Sequence, residues 1–245
     1  MSIYQPKYIV CDNADQIADI VSKQFIDCIK KNPKSVFIMP TVSTPCKTYA
    51  KLVEDHKKNG TSWKDVITFN CDEYVMPNNN FLDQTYHYFM DQQIFNHVDM
   101  NRNNIHFPDD AMKNGGYLKA IQNAGKADIC FLGIGTNGHI AFNEPNSPQD
   151  SLTRIIDLTP ETIKANSRFF GNDINNVPKQ ALSMGLKTII DGSKKIIMIA
   201  TGASKKEIIA KLAKLDHFDI NVPASALLYH PNVEIYLDHE SDFHK

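Results

Sequence analysis

No stretch of this 245-residue chain approaches the ~20 consecutive apolar residues that a membrane-spanning helix needs. The N-terminus, MSIYQPKYIVCDN, lacks the charged-then-apolar pattern of a secretory signal. The five cysteines, Cys11, Cys28, Cys46, Cys71 and Cys130, are odd in number, widely spaced and include no C-x-x-C pair. That spacing argues against a disulfide framework or a zinc site and for a reducing, cytoplasmic setting. A strong charge of either sign is also missing. With a formal net charge of -2, nothing pushes the chain toward nucleic acid or an acidic membrane. Linkers, internal repeats and low-complexity tracts are absent as well, so residues 1–245 read as a single domain. Asn59-Gly60-Thr61 matches a glycosylation sequon; without a secretory signal it reads as a turn after a helix.

What is present is alternation. Short β-rich runs at Tyr8–Cys11, Ser35–Met39, Val66–Asn70, Asp128–Leu132, Lys195–Ala200 and Val233–Leu237 are separated by helical patterns. The helices are expected at Ala14–Lys31, Thr44–Lys58, Phe81–Asn96, Ala111–Ala124 and Ser204–Leu215, with Thr44 as N-cap and Pro45 in the first turn of the second. A shorter helical stretch is expected from about Thr159 to Arg168. The pattern implies an α/β fold, a mostly parallel, doubly wound sheet with helices on both faces. Such sheets bind ligands beyond the carboxyl ends of their strands. The loops at 40–45, 70–77, 133–145 and 201–204 should therefore carry the chemistry.

The densest of these loops is GIGTNGHIAFNEP, Gly133 to Pro145. It contains a literal G-x-G-x-x-G, but no helix can start at its last glycine with Pro145 and Pro148 following, so a dinucleotide site does not fit. It lacks H-x-x-x-H, H-E-x-x-H and nearby cysteines, so a metal site does not fit either. The Rossmann-like sheet is thus expected without a dinucleotide. What remains is acid–base work by His139 and Glu144, since a histidine beside a carboxylate is a suitable proton-transfer pair. TFNCDEYV ends another strand with Asp72 and Glu73, and a carboxylate there can act as a base beside a carbonyl. The competing reading is a simple cap. Two segments, MPTVSTPCKTY and IATGASKKEII, run strand, small hydroxylated loop, helix start. Free N–H groups at such helix starts, with Ser43, Thr44, Ser204 and Lys205, make a seat for phosphate. Arg154 and Arg168 are further phosphate candidates, with a plain surface arginine as the alternative.

Taken in order, PTVSTP, TFNCDEYV, GIGTNGHIAFNEP, TRIIDLTPETIKANSRFF, QALSMGLKTIID and PASALLYHPNVEIYLD resemble the glucosamine-6-phosphate deaminase (isomerase) family along nearly the whole chain. The resemblance implies conversion of glucosamine 6-phosphate and water to fructose 6-phosphate and ammonia, with no organic cofactor and no metal. It implies that Asp72 moves a proton between C1 and C2, that His139 opens the sugar ring, that Glu144 assists it, and that Asn137 belongs to the same ring-opening group. It also implies that Thr41, Val42, Ser43 and Thr44 cradle the phosphate while Arg168 and Lys205 pair with it. The wider superfamily holds galactosamine-6-phosphate isomerases and 6-phosphogluconolactonases; the lactonases do not usually carry DEY together with GHIAFNEP. A phosphosugar-binding homologue without catalysis is the alternative outside the enzymes.

Some positions depart from the family. Val42-Ser43 stand where many members have Gly-Gly, and valine disfavours the positive φ that glycine permits. Asn137 stands where some members have Asp, so it should orient rather than titrate. Ser147 and Arg154 match part of an allosteric site for N-acetylglucosamine 6-phosphate. Ile156 replaces its lysine, which implies weak or absent activation by that sugar. Shorter members are less tied to hexamers, so a homo-oligomer is possible rather than required.

Overall fold

The structure is a computed structural model describing residues 2–41, 43–76, 80–109 and 112–244. Its elements in chain order are β1 (Lys7–Val10), α1 (Ala14–Lys31), β2 (Val36–Met39), α2 (Cys46–Asn59), β3 (Ile67–Asn70), β4 (Asp72–Val75), α3 (Tyr86–Gln93), β5 (Ile105–His106), α4 (Gly116–Asn123), β6 (Ile129–Gly133), β7 (Arg154–Asp157), α5 (Pro160–Asn166), β8 (Gln180–Ser183), α6 (Leu186–Gly192), β9 (Ile196–Ala200), α7 (Lys206–Ala213) and β10 (Val233–Leu237). Seven strands form a parallel sheet in the order β1-β10-β9-β6-β2-β3-β5.

Alternation along the central strands explains why both faces are covered. In β2, Val36 and Ile38 join one apolar cluster, with Ile121 of α4, Ile189 of α6 and Ile209 of α7. Phe37 and Met39 point the other way, to Phe25 of α1, Tyr49 of α2 and Met90 of α3. This is the period-two rule of a strand buried on both faces. Each fully buried Phe or Ile contributes roughly 1.5–3 kcal/mol. Helix α1 answers with Ile17, Val21, Phe25 and Ile29 on one buried stripe. Its N-terminus is set by Asn13, whose Oδ1 accepts from the amides of Asp15 and Gln16. Among the described residues no helix is long and apolar enough to cross a membrane.

A second sheet, absent from the sequence reading, is antiparallel and runs β4-β8-β7. Only Cys71 separates β4 from β3. Tyr74, Phe170 and Ala181 bury the inner side of this sheet.

Among the boundaries that differ from expectation, three have a clear local cause. Thr44 does not cap α2: Pro45 holds the cap position with no side-chain bond, and the helix begins at Cys46. The stretch Phe81–Asn96 is divided, because Thr85 accepts from the amide of Tyr88 and starts α3 afresh after a 3-10 turn at Leu82–Gln84. Helix α4 starts at Gly116, after Gly115 in the left-handed region (φ 94°), rather than near 111. Gly60, at φ 72°, ends α2, as the turn reading of Asn59-Gly60-Thr61 requires.

Candidate active site

In the large sheet the chain runs outward from β2 to β3 on one side and from β6 to β9 on the other. The adjacent strands β2 and β6 therefore mark the switch point where doubly wound sheets open a crevice. A cavity of about 880 Å³ lies there, at the carboxyl ends of β2, β3, β6 and β9. It brings together Thr41, Ser43, Thr44, Asp72, His139, Arg168, Ser204 and Lys205. Asn137 and Glu144 join it through their hydrogen bonds to each other and to His139. Val42 lies outside the described residues.

Asp72 is the first residue of β4, paired with Ser183 of β8, so the scaffold holds it on both sides. It is only 6% exposed, and its Oδ1 accepts from Thr41 Oγ1 at 2.9 Å. Burial is the main force on its acidity. It pushes the carboxyl up to about 7, helped by the nearby Glu73 and opposed by the Thr41 hydroxyl. A carboxylate titrating near neutrality can both take and return a proton at working pH.

Glu73 does the capping that the sequence left open for Asp72. Its Oε1 accepts from the amides of Tyr74 (2.8 Å) and Tyr86 (2.9 Å), and its Oε2 accepts from His87 (2.8 Å). These bonds satisfy free donors at the start of α3 and fix Tyr86 against the cavity. Burial pushes the Glu73 carboxyl above its usual range too, with the three amides pulling the other way.

The loop after β6 builds a chain of three side chains. The Glu144 carboxylate is acceptor-only when ionised, so Asn137 presents its amide nitrogen to Glu144 Oε2, at 2.6 Å. The amide oxygen then faces His139, accepting from the backbone at 3.1 Å and lying 2.7 Å from Nδ1. Nδ1 must therefore carry the hydrogen, and Nε2 keeps a lone pair free to act as a base. Glu144 Oε1 is 3.4 Å from the same Nδ1. The bond with His139 is the main reason the Glu144 carboxyl sits below its usual range, with Asn137 adding to it and burial opposing. An imidazolium formed at His139 has a ready counter-charge.

Glycine makes this placement possible twice. A Cβ on Gly135 would overlap the imidazole ring of His139, so the ring rests directly on that backbone. Gly138 sits at φ 86° with Val222 against it. Ala141, in the same loop, is held at φ 49°, a conformation uncommon for a residue with a side chain.

Arg154 is placed away from the phosphate seat. Its guanidinium donates to Asn143 Oδ1 at 3.0 Å and Ser147 Oγ at 3.2 Å. Asn143, fully buried, in turn donates to the carbonyls of Ile140 and Met184. Arg154 thus braces the base of the His139–Glu144 loop.

Lys205 ends a 3-10 turn before α7, and burial pulls its ammonium below the usual lysine range. No carboxylate pairs with it among the described residues. The turn is anchored by Gly202, whose amide donates to both oxygens of Asp238. Arg168 is exposed, with its guanidinium 4.6 Å from the ring centre of Phe169. It also borders a side chamber of about 530 Å³ between α3 and the segment after α5. Tyr86 and Phe142 line the main cavity and were missed in the sequence. Thr85 beside Tyr86 was a readable helix-start signal. Among the described residues, no three His, Cys, Asp or Glu side chains gather to hold a metal ion.

With this geometry in place, comparison with known proteins identifies the family. The family model for glucosamine-6-phosphate isomerases/6-phosphogluconolactonase matches residues 12–236. The chain belongs to this family. It is 41% identical over 235 residues to a glucosamine-6-phosphate deaminase of Malacoplasma penetrans (94% of this chain, 96% of that one). It is 44% identical over 236 residues to one of Mycoplasma mycoides subsp. mycoides (95% and 94%). A solved structure of a monomeric glucosamine-6-phosphate deaminase superposes with a TM-score of 0.87 at 34% identity, covering 96% of this chain and 98% of the other. The doubly wound parallel sheet expected from the sequence is the fold of this family.

Proposed function

We propose that this chain converts glucosamine 6-phosphate and water to fructose 6-phosphate and ammonia. One observation carries this reading: a buried carboxylate titrating near 7 shares a cavity with a histidine oriented through Asn137 and Glu144, beside cationic and hydroxyl side chains. A lone base would serve many reactions. A base for a carbon acid, plus a separate base for a ring hydroxyl, suits a cyclic sugar that must open first.

In the ring form, His139 Nε2 takes the proton of the C1 hydroxyl. The C1–O5 bond breaks, a carbonyl forms at C1, and the proton is returned to O5. The C2 hydrogen is now beside a carbonyl. Asp72 takes it, giving an enolamine between C1 and C2, and delivers a proton to C1. The resulting C2 imine adds water and expels ammonia, leaving the ketone. Ser43, Thr44, Arg168 and Lys205 receive the phosphate, and Thr41 lies between the two ends.

Ammonia release from purified protein tests the reading, with glucosamine 6-phosphate and galactosamine 6-phosphate measured side by side. Release from the gluco sugar supports it. Preference for the galacto sugar reassigns the substrate, and no release from either, with binding intact, overturns the enzyme. For the phosphate seat, Lys205→Ala and Arg168→Ala should each raise KM by roughly 10–100-fold, the worth of one charged hydrogen bond, with kcat changed far less. An unchanged KM in both variants would remove these residues from the seat.

A further inference from the structure

Thr41 stands where the two halves of the site meet. One residue, Pro40, separates it from the end of β2, and it is the first residue of the loop read as the phosphate cradle. Yet its hydroxyl is not aimed at an empty cradle: it donates to Asp72 Oδ1 at 2.9 Å, and Thr41 itself is only 7% exposed. A threonine hydroxyl has one proton to give. A phosphate seated against Ser43 and Thr44 competes with Asp72 for it.

We propose that Thr41 couples the phosphate seat to the base: its single hydroxyl proton is donated to Asp72 in the empty site and to the substrate phosphate in the loaded one. This rests on the reading of Asp72 as the C1/C2 base and of 41–44 as a phosphate loop. The consequence is that binding at the non-reacting end of the sugar strengthens the base at the reacting end. While Thr41 donates, the carboxylate is stabilised and is a weaker base. Once the donor is withdrawn, Asp72 holds a proton more tightly and abstracts one more readily. Such use of remote binding energy favours a substrate that carries the phosphate over one that lacks it.

Few other groups disturb this exchange. Cys71 precedes Asp72 and Tyr74 lies two residues after it, and Tyr49 of α2, Tyr86 of α3 and Tyr117 of α4 lie near it. Burial pushes all five above their usual ranges, so they stay neutral while Asp72 titrates. The titratable and charged groups that face it among the described residues are Glu73 on its own strand, with His139, Arg168 and Lys205 across the cavity.

The test compares pH profiles of kcat/KM, which reports the free enzyme, and kcat, which reports the complex. Wild type, Thr41→Val and Thr41→Ser are measured together with glucosamine 6-phosphate. In wild type the acid limb of kcat lies at higher pH than that of kcat/KM. In Thr41→Val the kcat/KM limb rises by about one pH unit, the worth of a hydrogen bond to a charge, and the gap between limbs narrows. The kcat limb stays, because Thr41 no longer touches Asp72 in the complex. Thr41→Ser restores the wild-type gap. The phosphate of the free substrate titrates alike with every variant, so it cancels from the comparison of the kcat/KM limbs. A gap of wild-type size in Thr41→Val, with both limbs moved together or neither moved, overturns the coupling. An active Asp72→Asn enzyme would instead overturn the reading on which it rests.

Discussion

Asp72→Asn is expected to release ammonia roughly 10²–10⁴-fold more slowly than the parent while melting several degrees higher. Both effects have one cause. The carboxyl is buried and pushed from 3.8 up to about 7, so the folded chain holds a charge at neutral pH that it would rather not bury. A folded value above the unfolded one means that the native state binds more protons between about pH 4 and 7. Stability therefore falls as pH rises through that window, and the penalty is complete above it. Its size is on the order of a few kcal/mol. Asparagine keeps the shape and an acceptor for Thr41 but never ionises, so that decline vanishes along with the base. Thermal melts of both proteins at pH 4 and pH 8 check the linkage: the variant's advantage should be small at pH 4 and large at pH 8. A variant that melts lower than the parent at pH 8 would contradict it.

Gly135→Ala should lower kcat by about 10²-fold and leave the melting temperature almost unchanged. Gly135 does not need left-handed backbone. The constraint is contact, since a Cβ would lie 2.6 Å from His139 Nε2 and overlap the rest of the ring. The backbone around it is tied down, with Gly135 donating to the carbonyl of His139 at 2.9 Å and Gly138 to that of Gly135 at 3.0 Å. The imidazole must therefore move, and Nε2 loses its aim at the ring hydroxyl. Because the His139 side chain is 37% exposed, moving it unpacks little of the core. Steady-state kinetics and a thermal melt of the one variant decide the matter. Near-parent kcat would show that the ring does not need this seat.

The strongest elements were legible because their patterns were long or wholly apolar. Helix α1 showed apolar residues at helical spacing over 18 residues, and β6 was a run of buried hydrophobes before a polar loop. The small sheet was not legible. Its strands DEYV, RIID and QALS have four residues each and mixed polarity, and β4 follows β3 with no turn residue between them. The site was readable to the extent that its groups sit in loops after strands. His139 and Lys205 do, Asp72 comes two residues after β3 ends, and one cavity collects them. Their partnerships were not readable, because they join residues far apart in the chain. Thr41 was assigned to phosphate, yet its hydroxyl meets Asp72, 31 positions on. Glu73 stood beside Asp72 as a possible base and is the cap of α3. Arg154 looked like a phosphate cation and braces Asn143 and Ser147.

The single-residue joint at Cys71 restricts how this protein can vary. Neighbouring residues of a strand face opposite ways, so a one-residue insertion or deletion there would turn β4 over. Asp72 and Glu73 would exchange sides, removing the base from the cavity and the cap from α3 in one event. Substitutions can accumulate around the site one at a time, but the spacing between the two sheets cannot drift. Length variation among functional descendants of this chain is thereby confined to other loops.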